Sequence, residues 1–202
     1  MVAHIVKRIV EFYVKNNAIE LTADNIEVYQ YGVEVGLSSL CNLLVVFVIG
    51  FVFQSLLSSI IFLLIFLLIR RHTGGYHADS YLKCNIIFGT VFFLILIIGK
   101  AVDAFDLTIV LYSFSFLALL GAGCVWKCAP VPNKYKSLTT QQKKKSHGIA
   151  IVGYVLTLFM GTLISLCDLF LGSVVIGTLL SIVILMLIAE KEEVNQNEED
   201  CC

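Results

Sequence analysis

The residues best suited to chemistry lie together in one short polar segment, residues 70–84, between two apolar runs. The segment reads Arg-Arg-His-Thr-Gly-Gly-Tyr-His-Ala-Asp-Ser-Tyr-Leu-Lys-Cys. A cysteine acts as a nucleophile when it is a thiolate, and a neighbouring imidazole can take up the thiol proton and return it to a leaving amine. Cys84 and His77 are therefore a candidate nucleophile and base for acyl transfer.

The spacing of this pair restricts the local structure. Cys84 follows His77 by seven residues, and in a regular helix that spacing gives a shared face but a separation of about 10.5 Å along the axis. That distance is too long for proton transfer, so we predict a bend or a helix end within residues 77–83. The Gly74-Gly75 pair just upstream can turn the backbone, because glycine tolerates conformations that other residues avoid.

Four further side chains are candidates for supporting roles. Arg70 and Arg71 could stabilise an oxyanion or meet an acidic part of a peptide substrate. Two arginines after an apolar run also suit a plain anchor at the membrane interface. Asp79 and Glu34 could each orient the imidazole or simply face water.

A metal site is an alternative interpretation of the same segment. His72, His77, Asp79 and Cys84 include residue types that bind zinc. Their spacing matches no standard zinc motif, so we predict a site without metal and without a cofactor.

The composition is that of a membrane protein. Of 202 residues 58% are hydrophobic and only 14% are charged, with a mean hydropathy of +0.91. Long uninterrupted apolar runs favour helices over a barrel, whose strands would alternate with a period of two. The prediction is an all-α polytopic membrane protein, with about six spans near residues 36–53, 56–69, 84–99, 107–126, 148–167 and 170–189.

The whole chain, 1–202, is predicted to be one membrane-embedded domain with two distinct ends. Residues 1–16 carry an apolar stripe opposite basic residues, which predicts an amphipathic helix at the membrane surface. Residues 190–202 are acidic and predict a flexible tail. A five-span alternative would join the last two spans around Cys167 and Asp168.

The distribution of basic residues orients the predicted spans. With six spans, every Lys and Arg except Lys100 falls on the side of the N-terminus. The positive-inside rule then predicts that both termini and the 70–84 segment are cytoplasmic. A small transporter would suit the same topology, but it predicts ionisable groups in the middle of spans, and the apolar runs contain none.

The 70–84 segment also resembles the signature of a known family, the accessory gene regulator B (AgrB) family of bacterial membrane peptidases. That signature is an arginine, then Gly-Gly-Tyr-His-Ala, then a cysteine seven residues after the histidine. It is matched here by Arg70, Gly74, Gly75, Tyr76, His77, Ala78 and Cys84. A later basic loop with Ala129-Pro130 and Asn133-Lys134 is similar too, although Lys136 stands where a further proline is expected. The acidic tail that ends in two cysteines is not a family feature.

The resemblance implies an activity and partners. It implies a cysteine endopeptidase that cleaves a small amphipathic precursor peptide (AgrD-like) through a thioester on Cys84, with His77 moving the proton. The peptide's own cysteine then closes a thiolactone ring, which serves as a quorum-sensing signal. The resemblance also implies a homodimer in the bacterial cell membrane. Membrane lipids are expected partners from the composition, and the near-neutral net charge gives no indication of a nucleic-acid partner.

Overall fold

The apolar runs all fold as helices. The computed structural model describes residues 23–74, 81–131 and 139–199, and each of the six helices in these ranges is long and apolar enough to cross a membrane. The prediction of an all-α protein with about six transmembrane helices is therefore confirmed. The amphipathic helix predicted at residues 1–16 lies outside the described residues. The helices are α1 Ala23–Val52, α2 Leu56–Thr73, α3 Tyr81–Ala104, α4 Thr108–Cys128, α5 Thr140–Ser165 and α6 Leu169–Glu199.

The helices pair into three hairpins with tight turns at one end of the bundle. The turns at residues 53–55, 105–107 and 166–168 join α1 to α2, α3 to α4 and α5 to α6. Such short connections are typical of antiparallel helix neighbours. In the last turn the Asp168 carboxylate accepts the Leu171 N–H at 2.8 Å, which caps the start of α6. The five-span alternative is therefore wrong, because a turn separates α5 from α6.

Helix α6 is the centre of the bundle. It packs against α2, α3, α4 and α5, while α1 lies at the periphery on α2 and α3. Of the residues in its apolar window, 67% are buried, against 12% for α1. Close approach of α5 depends on Gly161, where a Cβ would lie 2.7 Å from the Val175 side chain. Small residues serve this purpose in membrane bundles, where packing rather than hydrophobic burial joins helices.

The outer surface of the bundle is apolar. Large side chains such as Leu64, Ile109, Phe116 and Leu156 are more than half exposed. An apolar surface of this extent would drive association in water. Lipid tails are its natural solvent, so the surface agrees with the membrane assignment.

Two helices are longer than the sequence predicts. Helix α1 begins at Ala23 rather than near residue 36. The sequence predicts a flexible acidic tail from residue 190, whereas α6 continues as a helix to Glu199. Extending an existing helix is favourable because each added residue gains a hydrogen bond, whereas starting a new helix is costly. Glu, Lys and Gln are also good helix formers. The polar flanks therefore continue the helices.

Apart from Lys100, the basic side chains of the described residues collect at the end of the bundle opposite the tight turns. Arg70, Arg71 and His72 lie in the last turn of α2, and Lys127 lies in the last turn of α4. Cations are favourable at these helix C-termini, where backbone carbonyls point outward. We call this end of the bundle the basic end. Lys143, Lys144 and Lys145 begin α5 at the same end.

Candidate active site

Cys84 lies on the face of α3 that packs against α2. It is half-buried, and Phe88 and Phe92 follow it at intervals of four residues. Residues four apart share a helix face, so these three side chains form one stripe. Both phenylalanines are buried, which fixes the direction in which this stripe points.

A matching stripe on α2 contains Phe62, Phe66 and Arg70, again four residues apart. The rings interlock across the two helices. The ring centroids of Phe62 and Phe92 are 4.7 Å apart and those of Phe66 and Phe88 are 4.9 Å apart. Because α2 and α3 are antiparallel, one step further along this series brings Arg70 opposite Cys84. We call the four rings and this terminal pair the α2–α3 stack.

The terminal pair of the stack places a cation and a thiol at the same end of the two helices. The Arg70 guanidinium lies over the Phe66 ring, 5.1 Å from its centroid, a favourable cation–π arrangement. Arg70 is half-buried, whereas Arg71 is exposed. The structure therefore separates two arginines that look equivalent in sequence.

Helix α1 supplies polar groups on the other side of Cys84. The Ser38 hydroxyl donates a hydrogen bond of 2.9 Å to the side-chain oxygen of Asn85, the residue after Cys84. Glu34 and Asn42 lie one turn before and one turn after Ser38 on the same face of α1. Glu34 is half-buried, and it lies about 6 Å along the axis from Ser38, toward the start of α3. This places Glu34 near the level at which α3 begins.

The chain leaves α2 at Gly74 in a conformation that depends on glycine. The Gly74 φ angle is +72°, and its N–H donates to the Arg70 carbonyl at 3.1 Å. The carbonyl of the residue before Gly74, Thr73, accepts the Val131 N–H at 3.0 Å. A Cβ on Gly74 would lie 2.8 Å from the Val131 oxygen. The end of α2 is thus pressed against the chain that follows α4.

That chain, residues 129–131, is held from its other side by α5. Its Ala129-Pro130 peptide bond is cis, and Ala129 and Val131 are buried. The carbonyl oxygen of Ala129 lies 2.7 Å from Nδ1 of His147. Because a carbonyl can only accept, Nδ1 carries the proton in this contact. We call residues 129–131 the bracket, since they join the ends of α2 and α4 to α5.

The structure describes only some of the predicted site residues. Those at the basic end are described: Cys84, Arg70, Arg71 and Glu34. Three others lie outside the described residues: Gly75, His77 and Asp79. The bend predicted within residues 77–83 also falls mostly outside the described residues, which resume at Tyr81.

The potential zinc ligands are also only partly described. Among the described side chains no group of three or more His, Cys, Asp or Glu residues could hold a metal ion. His72 is half-buried, and its Nδ1 has no hydrogen-bond partner within the described ranges. Two of the four zinc candidates, His77 and Asp79, are outside these ranges.

Several residues at this site were not identified from the sequence. The four phenylalanines of the α2–α3 stack could have been found in the sequence, because they occur at intervals of four residues before Arg70 and after Cys84. Asn85 and His147 are polar residues at the ends of apolar runs, which is a weaker signal because such residues often face water. Their partners, Ser38 and Ala129, become evident only when the helices are packed.

Comparison with known proteins identifies related sequences. A sequence profile described as Accessory gene regulator B matches residues 6–189. An AgrB-like protein of Clostridium perfringens (strain SM101 / Type A) is 29% identical over 130 residues, 62% of this chain and 61% of that protein. AgrB-like protein 2 of Clostridium perfringens (strain 13 / Type A) is 28% identical over 130 residues, with the same coverage. The chain therefore spans less than two thirds of the length of these relatives.

No solved structure matches the chain. The family profile covers far more than half of the sequence, including the polar 70–84 segment and all six apolar spans. The chain therefore belongs to the accessory gene regulator B family.

Proposed function

We propose that this protein is a cysteine endopeptidase that cleaves a small amphipathic precursor peptide of the AgrD type. Cys84 is the nucleophile and His77 is the base. One observation carries the proposal: Cys84 and Arg70 lie together at the end of the α2–α3 stack, in a chain that belongs to the AgrB family.

The surroundings of Cys84 suit a nucleophilic thiolate. Reactive cysteines commonly have a cationic neighbour, and Arg70 lies at the same end of the α2–α3 stack as Cys84. The phenylalanine rings on the membrane side of the pair are buried and apolar, and an apolar environment strengthens the attraction between opposite charges. Cys84 thus differs from Cys41 and Cys167, which are exposed on the bundle surface.

The two arginines have different roles in this proposal. Arg70 is held against Phe66 and stabilises the thiolate, and later the oxyanion that forms when Cys84 attacks. Arg71 is exposed and is free to meet lipid headgroups or an acidic part of the peptide. Glu34, half-buried on α1 near the start of α3, is the described acid that could orient the imidazole; Asp79 is the other candidate.

The reaction proceeds in two acyl transfers. The Cys84 sulfur attacks the scissile carbonyl carbon, the C–N bond breaks, and His77 returns the proton to the leaving amine. The N-terminal part of the peptide is left as a thioester on Cys84. The thiol of the peptide's own cysteine then attacks this thioester, gives its proton to His77 and releases Cys84 as a thiolate.

The second step needs no nucleotide, because one thioester replaces another. Water is the competing nucleophile, so a site that limits its access protects the intermediate. Holding the peptide's thiol near the thioester raises its effective concentration and favours ring closure.

The orientation and assembly are also part of the proposal. The basic end, which contains Cys84, faces the cytoplasm of a bacterial cell, as the positive-inside rule predicts. Both termini are then cytoplasmic, and the peptide meets the site on the inner leaflet. The working assembly implied by the family is a homodimer. In a variant with Cys167 as its sole cysteine, an impermeant maleimide should label intact cells, since Cys167 lies exposed in the tight turn before α6.

The central test is co-expression with candidate precursor peptides. Wild type should yield a shortened peptide, and Cys84→Ala and His77→Ala should yield none, because each lacks one partner of the proposed pair. Cys41→Ala is the matched control, since it removes an exposed thiol on α1 and should process normally. Membrane levels of all variants are compared by immunoblot, so that loss of folding is separated from loss of chemistry.

Two further measurements sharpen this test. If the precursor's internal cysteine is replaced by alanine, the intact enzyme should gain the mass of the N-terminal peptide, and hydroxylamine should remove it. A chelator should leave processing unchanged, whereas the zinc alternative requires inhibition. Normal processing by Cys84→Ala would refute the proposal.

A further inference from the structure

His147 lies on α5, outside the 70–84 segment, yet it is connected to that segment by two hydrogen bonds. It donates from Nδ1 to the Ala129 carbonyl at 2.7 Å. Two residues further along, the Val131 N–H donates to the Thr73 carbonyl at 3.0 Å. The bracket thus links α5 to the last turn of α2 through these two hydrogen bonds.

The end of α2 needs such a contact. The last carbonyls of a helix have no partner within the helix and must find one elsewhere. Thr73 is fully buried, so water is not available to satisfy its carbonyl. The Val131 N–H fills this role, and it does so only while the bracket stays in place.

The neighbours of the bracket fix its position closely. Gly74 leaves no room for a Cβ beside the Val131 oxygen, so the two chains touch along their backbones. On the other side the His147 ring lies edge-on to Trp126, with centroids 5.7 Å apart. A small displacement of Ala129 would therefore move the chain that contacts Gly74.

We propose that His147 is a positioning residue for the peptidase reaction. By holding the bracket against Thr73 and Gly74, it fixes the direction in which the chain leaves α2, three residues before His77. This inference rests on the proposed function. It adds a residue that touches neither the substrate nor the reacting atoms.

The test uses three substitutions that separate the hydrogen bond from the shape of the ring. His147→Phe keeps an aromatic ring beside Trp126 but has no donor. His147→Asn is smaller, but its amide nitrogen can occupy the place of Nδ1 and donate to Ala129. Ser146→Ala is the matched control on the same turn of α5.

The first measurement needs no substrate. Residue-resolved hydrogen exchange in detergent reports on the Val131 amide, which donates to Thr73. In His147→Phe this amide should exchange about fivefold faster, as expected for the loss of one supporting hydrogen bond. The exchange rate in His147→Asn and Ser146→Ala should match that of wild type.

The second measurement uses the precursor peptide that wild type processes in the co-expression test. In His147→Phe the kcat should fall by about fivefold or more with KM unchanged, since misplacement of a reacting group affects chemistry more than binding. His147→Asn should restore it. A purely structural role would lower the amount of folded protein without changing kcat per folded molecule.

The outcomes distinguish this inference from the proposed function. If wild type processes no peptide, the peptidase proposal fails, and the exchange data still decide whether His147 holds the bracket. Unchanged exchange at Val131 in His147→Phe overturns the inference. Faster exchange with an unchanged kcat also overturns it, because His147 would then hold the bracket without any effect on the reaction.

Discussion

Replacing Gly74 with alanine should damage the junction between α2 and the bracket. Gly74 has φ +72° and ψ −164°, a region that is essentially restricted to glycine. An L residue there costs about 1–3 kcal/mol. The new Cβ would also lie 2.8 Å from the Val131 oxygen and 3.2 Å from its nitrogen. These are backbone atoms, so no side-chain rotation can relieve the contact.

The magnitude follows from these two effects. If the bracket moves away to make room, the Val131–Thr73 hydrogen bond is lost, at a cost of about 1 kcal/mol. Together with the backbone strain, the expected destabilisation is about 2–4 kcal/mol. For a chain of this length that lowers the unfolding temperature by on the order of 10 °C.

The assay compares thermal unfolding in detergent, and processing of the precursor peptide, among three alanine variants. Gly123→Ala and Gly153→Ala are the controls, because a Cβ at either position meets no atom within 4 Å. Alanine in a helix interior should leave them as stable as wild type or more so, by about 0.5–1 kcal/mol. If Gly74→Ala has the same unfolding temperature as the controls and processes peptide normally, the contact with the bracket has no energetic role.

Three other predictions concern the stack and the bundle core. Arg70→Gln should lower kcat by about 100-fold, the usual effect of removing one group that stabilises an oxyanion, while Arg71→Gln should change kcat little; steady-state kinetics decides this. Tyr154→Phe removes a buried hydrogen bond of 2.9 Å to a carbonyl of α4 and should cost about 1 kcal/mol of unfolding free energy, with the fold retained by circular dichroism. Gly161→Val should destabilise the bundle by about 1–3 kcal/mol through overpacking against α6, whereas Gly153→Val, which meets open space, should not; equal unfolding temperatures would refute the close approach.

The sequence could predict the number and order of the helices because each is a long apolar run with a clear limit. It could not predict where the helices extend into polar sequence. The residues from Ala23 to the first apolar run, and those from Glu190 to Glu199, continue existing helices. Their own composition carries little sign of this, since extension depends on the helix already being formed.

The sequence could name candidate site residues, but it could not predict how the described ones are arranged. Cys84 is identified by its type and its motif, and it lies at the basic end as expected. The difference between Arg70 and Arg71 depends on which of two adjacent residues faces α3, and that depends on how the Phe62 and Phe66 rings fit those of α3. The role of His147 is even harder to predict from the sequence. Its link to the site is a hydrogen bond to a backbone carbonyl, which any residue type could supply.

The position of α6 has a consequence for how the protein is made. The helix that touches α2, α3, α4 and α5 is the last of the six to leave the ribosome. Until residue 169 and those after it have been synthesised, the four helices around it lack their shared partner. A nascent chain therefore cannot complete its bundle early, and premature stop codons before α6 should give products that the cell's quality-control proteases remove.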